Sequence, residues 1–139
     1  MANVKFEDNS IKVEELIKKA CISWLYEAAG EIEAQTKRGC DPYVDTGKTK
    51  NSWQYQVNES DGEAIIGSNY ENAIWEEFGT GIYASKGNGR KNVPWKYKDA
   101  EGKWHKTKGK KARHIFQKAF DGNKKKLRES LELNLKGLK

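Results

Sequence analysis

From Ile11 to about Arg38 the apolar residues Val13, Leu16, Ile17, Ala20, Cys21, Trp24, Leu25, Ala28 and Ile32 recur at steps of three and four. That spacing is one stripe of a long helix. Ser10 stands before the stripe as a candidate N-cap, Glu14 and Glu15 suit the positive end of the helix dipole, and Gly39 offers a stop. A helix of about 28 residues measures ~42 Å, so in a small domain it is expected to lie across a sheet. Residues 40 to 47, Cys-Asp-Pro-Tyr-Val-Asp-Thr-Gly, are rich in turn formers, and Asp45 or Thr46 is placed to cap a short turn over Lys48 to Asn51.

Beyond that turn the period changes to two. Ser52 to Asn58 alternates Trp53, Tyr55 and Val57 with polar residues, Glu63 to Gly67 carries Ala64, Ile65 and Ile66, and Glu59-Ser60-Asp61-Gly62 makes the two an antiparallel hairpin. Tyr70 to Phe78 reads as a helix with Tyr70, Ala73, Ile74 and Phe78 on its inner face and Gly79 as its end. Gly79 to Asn92 is rich in Gly, Lys and Asn with little to bury, which predicts a mobile loop. Val93 to Lys98 and Lys103 to Thr107 flank Asp99-Ala100-Glu101-Gly102 as a second hairpin bearing Trp95, Tyr97 and Trp104. Ile115, Phe116, Ala119, Phe120, Leu127, Leu131 and Leu138 then mark a C-terminal helix with an expected break at Gly122. The predicted class is α+β: a long N-terminal and a C-terminal helix on a small antiparallel sheet of about four strands. Residues 1–139 form one domain, with residues 1–10 and 122–139 as flexible ends.

Composition adds a lean core and a strongly hydrated surface: 36% of residues are hydrophobic, but five Trp, six Tyr and four Phe supply large side chains. No apolar run approaches the ~20 residues of a membrane span, and the first ten residues lack a signal-peptide layout, so a soluble protein made in the cytoplasm is expected. The net charge of +6 conceals an asymmetry. Residues 1–85 hold 8 Lys and Arg against 15 Asp and Glu, whereas residues 86–139 hold 18 against 5. Such polarity points to a basic surface for nucleic acid or to complementary faces between neighbouring proteins.

Candidate chemistry is thin. Cys21 and Cys40 are 19 residues apart, ~28 Å along one helix, too far to pair within the subunit. His105 and His114 are isolated, so no metal site is expected. Gly47-Lys48-Thr49 imitates a P-loop end, but the required glycine five residues earlier is Pro42. Gly79-Thr80-Gly81-Ile82-Tyr83-Ala84 has dinucleotide-fingerprint spelling without a surrounding βαβ unit. Asp45-Thr46-Gly47, with Ile65-Ile66-Gly67 downstream, is spelled like an aspartic protease site, yet Pro42, Tyr43, Lys48 and Lys50 indicate an exposed loop rather than the buried setting a shared-proton dyad needs. No catalytic residue and no cofactor is assigned.

Several motifs occur in an order that resembles the tailed-phage head-tail joining or tail-completion proteins, the family named after gene product ten of the phage HK-ninety-seven. They are Val44-Asp45-Thr46-Gly47 with Asn51-Ser52, Ile66-Gly67-Ser68-Asn69-Tyr70, Ala73 with Glu77-Phe78-Gly79-Thr80-Gly81, Pro94-Trp95 with Trp104, Thr107-Lys108-Gly109, and Phe116 with Ala119-Phe120. The similarity spans roughly residues 11 to 121. Two departures are Thr49, where the family usually has leucine, and Lys110-Lys111-Ala112-Arg113, in place of a Pro-richer approach to the last helix.

The resemblance implies a non-enzymatic virion protein of the neck or tail, assembled in the host bacterial cytoplasm as a ring, expected to be sixfold, through which double-stranded DNA passes. Implied partners are further copies of itself and adjoining connector or tail-tube and terminator proteins, with no membrane. The long helix is expected to pack on the sheet through Ile17 and Trp24, and the Gly79 to Asn92 loop to order against a neighbour. Lys86, Arg90, Lys91, Lys108, Lys110, Lys111 and Arg113 are candidate contacts to DNA or to an acidic ring. The rival from another class is a small basic nucleic-acid-binding protein, using its lysines with Trp95, Tyr97 and Trp104.

Overall fold

The computed structural model describes residues 8–138 and has an α+β architecture. Helix α1 runs from Ser10 to Cys40, 31 residues, and tightens into a 3-10 turn at Asp41–Tyr43. Short helix α2 (Lys48–Ser52), strands β1 (Trp53–Asn58) and β2 (Glu63–Ser68), and helix α3 (Glu71–Phe78) follow. A second 3-10 turn, Gly81–Tyr83, leads to strands β3 (Trp95–Lys98) and β4 (Trp104–Thr107), and helix α4 (Ile115–Lys136) is the last described element. The first seven residues, where one flexible end was expected, lie outside the described residues.

The helix ends differ from expectation. Ser10 is already inside α1; Asn9 is the cap residue and makes no side-chain cap bond, while the Ser10 N–H donates to Asp8 Oδ1 at 3.0 Å. Gly39 does not stop the helix, since the backbone stays right-handed helical through Asp41. What Gly39 supplies is space: a Cβ there would lie 2.8 Å from Ile115 Cγ2, so the missing side chain lets the start of α4 press against α1.

Helices α1 and α4 are antiparallel. Gly39 meets Ile115 at one end; further along, Trp24 Nε1 donates to the Leu127 carbonyl at 2.8 Å and Ser130 donates to Glu27 at 3.3 Å. Two buried clusters result. Ala28, Ile32 and Leu127 gather Trp24 and Ile66, and Cys40, Trp53, Ala73 and Ile115 form the second. Phe116 packs against both, its ring parallel to that of Trp53 at 5.4 Å between centroids. Trp24 packs in the seam between α1 and α4, where its indole bonds to α4, and Ile17 is 43% exposed and contributes to neither cluster. It lies on the part of α1 where every residue from Ser10 to Lys19 is exposed.

The sheet is the main correction. Instead of about four strands in one sheet, two separate antiparallel pairs form. In the first, Tyr55 faces Ile66 across the strands and lies over Gly30 of α1. In the second, Lys96 faces Lys106 and Tyr97 faces His105, and neither strand packs extensively on any helix or on the first pair. Lysines 96, 98 and 106 along both strands oppose edge-to-edge addition, a common guard on exposed edges.

Helix α4 is also continuous through Gly122, and Leu127 beyond it is buried against α1, so residues 122 to 136 are an integral element rather than a loose end. Open space surrounds the position of a Gly122 Cβ. Replacing Gly122 by Ala should therefore raise stability by about 0.5–1 kcal/mol through backbone entropy and helix propensity. Urea denaturation checks this; a loss of stability would show that the helix bends there.

Candidate functional site

Helix α3 is oriented against its hydrophobic pattern. Ala73, Glu76 and Glu77 are buried, whereas Ile74 and Trp75 are about half exposed and Tyr70 and Phe78 are 37% exposed. The expected inner face, Tyr70, Ala73, Ile74 and Phe78, thus contributes only Ala73 to the core. The reason is electrostatic and long-range: Lys110 and Arg113 before α4 and two N–H groups in its first turn are met by the two glutamates.

Glu77 holds the start of α4. Its Oε2 accepts from the Phe116 N–H at 2.8 Å and its Oε1 from the Gln117 N–H at 2.9 Å. These are two of the four N–H groups that a helix leaves without internal partners, and the carboxylate also meets the positive end of the helix dipole. The Arg113 and His114 N–H groups donate to the carbonyls of Glu76 and Glu77. His114, at φ 49°, adopts a left-handed conformation as the cap residue, held by these flanking bonds.

Glu76 gathers the cations. Lys110 Nζ donates to its Oε1 at 2.5 Å, and Oε2 faces Arg113 Nη1 at 2.7 Å in an ion-pair contact not aligned as a hydrogen bond. The Arg113 guanidinium also lies 3.7 Å from the centroid of the Tyr43 ring. Burial pushes the nearby Cys40 thiol above the ordinary thiol range, and the Glu76 and Asp41 carboxylates reinforce the shift against Lys50.

The Glu-Phe-Gly-Thr-Gly segment crosses Thr107-Lys108-Gly109 backbone on backbone. The Thr80 N–H donates to the Lys110 carbonyl, the Lys110 N–H returns to Thr80 Oγ1, and the Ile82 N–H donates to the Lys108 carbonyl, at 2.8, 2.8 and 3.1 Å. A Cβ on Gly81 would collide with the Lys108 carbonyl, and one on Gly109 with the Thr80 carbonyl. Further bonds run from the Ser85 N–H to the Phe78 carbonyl and from the Gly87 N–H to the Ala84 carbonyl. The start of the loop expected to be mobile is therefore pinned by bonds within the chain.

The other predicted residues separate into supports and surface. Thr46 Oγ1 accepts from the Lys48 N–H at 3.3 Å, and Gly47, at φ 84°, is the cap residue of α2. Ser52 accepts from Ser68 at 2.6 Å and thereby ties the ends of β1 and β2. Thr49, the departure from leucine, accepts from Asn72 of α3 at 2.8 Å. Asp45 is exposed. Pro94 is exposed, following a cis peptide, and Trp95 lies under the Arg90 guanidinium at 5.2 Å. Lys86 sits over the Phe78 ring at 4.5 Å and Lys111 over Tyr83 at 5.9 Å. Lys91 and Lys108 are exposed. Of the seven proposed basic contacts, Lys110 and Arg113 are engaged by Glu76, so they belong to the internal latch and not to an open basic face.

Glu76 and Tyr43 were missed in the sequence. The only available sign was the glutamate pair of Glu76-Glu77-Phe78-Gly79, with basic residues just before the last helix, a pattern too common to select. Among the described residues no group of three His, Cys, Asp or Glu side chains is placed to hold a metal ion, and no helix is long and apolar enough to cross a membrane. No family model, curated protein or solved structure matches the chain.

Glu77→Ala should lower stability by about 3 kcal/mol, the order expected when two charge-assisted bonds to part-buried N–H groups are lost. Chemical denaturation measures it, and a cost below about 1 kcal/mol would mean that water replaces the cap. A paired substitution tests the crossing: Gly87→Ala, at φ 68° but in open space, should cost about 1 kcal/mol, while Gly81→Ala should cost at least twice that. Equal costs would remove the steric account.

Proposed function

We propose that this chain is a structural subunit of the tailed-phage head-tail interface, assembling with further copies into a ring that completes the tail or joins it to the head. The sequence supports this through the ordered motifs that resemble the head-tail joining proteins. Their roles in the fold are architectural: Asp45 to Gly47 turn the chain into α2, Glu77 caps α4, and Gly79 to Gly81 cross the 108–110 segment.

The observation that carries the reading is the outward display of Ile74, Trp75, Phe78, Ile82 and Tyr83, each 37% exposed or more, along α3 and the turn after it. Large apolar side chains grouped on a rigid support are the usual mark of an interaction surface. The latch behind them keeps that surface fixed, as a subunit with a defined neighbour requires. Adjoining connector or tail-tube proteins and further copies of the chain are the partners that suit it, and DNA contact is confined to the basic side chains left outside the latch.

Deletion of the gene from a phage that carries it should leave filled heads and separate tails in electron micrographs. Supplying the wild-type chain should restore joined particles; Trp75→Asp, with an unchanged unfolding midpoint, should not. Intact, infectious particles from the deletion strain would sink the reading.

A further inference from the structure

Among the described residues the β3–β4 hairpin packs extensively on no other helix or strand and forms a preordered arm. Asp99 braces its turn: Oδ1 accepts from the Glu101 and Lys103 N–H groups at 2.9 and 2.8 Å, and Oδ2 contacts His105 Nε2 at 2.7 Å. His105 foremost, and the Lys103 N–H after it, hold the Asp99 carboxyl below the ordinary carboxylate range. Trp104 is 66% exposed, with Lys98 Nζ 5.8 Å from its ring centroid. Lys96 and Lys106 oppose each other directly across the strands, an unfavourable like-charge pair. No carboxylate of the described residues lies within ion-pair distance of either.

A surface of complementary character lies elsewhere on the same subunit. Between α1 and the β1–β2 turn is a groove of about 390 Å³ with Cys21, Ile22, Trp24, Leu25 and Leu131 among its lining residues. Glu59 and Asp61 of the turn also line it, together with one cation, Lys18. Apart from Leu131 of α4, the groove residues belong to the acidic part of the chain and the arm belongs to the basic part, and arm and α1 do not pack extensively on each other within one chain.

We propose that the arm of one copy inserts into the α1/β1–β2 groove of the next, with Trp104 on the apolar floor and Lys96 and Lys106 against Glu59 and Asp61. A second copy is the occupant chosen because one chain carries both halves of the match: an exposed indole between unpaired lysines, and an apolar groove beside carboxylates. Two different patches on each copy make a head-to-tail contact, which closes into a ring where the rotation per step permits. The inference rests on the ring reading above and names the contact that would build it.

Cys21 lies in the groove, whereas Cys40 is buried, so the chain provides its own cross-linking site. Purified full-length Lys106→Cys, at concentrations where the wild type self-associates by sedimentation, should give a ladder of covalent oligomers with a short bis-maleimide. The ladder should disappear when Cys21→Ser is added. The double variant Glu59→Lys/Asp61→Lys should weaken self-association about tenfold, and Lys96→Glu/Lys106→Glu in the same chain should restore it. Oligomers that form without the Cys21-dependent ladder overturn the arm-in-groove contact and leave the ring reading standing. A chain that stays monomeric at all concentrations overturns the arm-in-groove contact, with the gene deletion then deciding the ring reading separately. Arm substitutions that abolish binding to a short DNA duplex yet leave self-association unchanged assign the arm to nucleic acid and overturn the proposal.

Discussion

The carboxylate of Glu77, set against the first turn of α4, fixes more of the fold than any other single contact. A helix that begins inside a protein exposes N–H groups that must find acceptors or incur a desolvation cost. Here the acceptor comes from a different element, 39 residues earlier in the chain. Placing the Phe116 N–H also places the Phe116 ring, and that ring joins the two core clusters. A lean core split into two clusters is thereby joined through one polar contact, which accounts for a buried glutamate in a helix that had apolar residues available.

The same segment explains the exposed aromatics. With Glu76 and Glu77 turned inward, the helical period carries Ile74, Trp75 and Phe78 toward solvent. The polar latch and the apolar surface are two faces of one eight-residue helix, so the exposed apolar surface follows from the way the interior is satisfied. The crossing at Gly81 and Gly109 gives that surface a rigid support, because backbones in direct contact leave no side chain between them to rearrange.

Element existence was largely legible in the sequence, and element surroundings were not. The stripe from Val13 to Ile32, the alternation of Trp53, Tyr55 and Val57, and the two Gly-containing turns each report a local period, and each element formed within a few residues of expectation. Failures came where long-range partners decide. Gly39 spells a helix stop, but Ile115, distant in sequence, needs its space. Gly122 spells a break, yet flanking residues pack well enough on α1 to carry the helix through. The face of α3 was misassigned because hydrophobic periodicity counts burial as apolar, and two adjacent carboxylates, Glu76 beside two cations and Glu77 beside two N–H groups, override that count. Two hairpins suggested one sheet, since nothing in a local pattern says whether lysine-bearing strands will accept neighbours.

The second hairpin shows the same distinction at the surface. An isolated two-stranded ribbon is at best marginally stable in water, so one that projects from a domain needs its own reinforcement. Asp99 supplies it by accepting from the two N–H groups of the turn and engaging His105, and Tyr97 stacks on His105 at 5.2 Å. These contacts lie on or near the turn and leave Trp104 outside. Ordering the arm before it meets a partner removes much of the entropy cost that a flexible loop would incur on binding. Such bracing around an exposed indole contributes little to the core; its physical consequence is a lower ordering cost for any contact made through the arm.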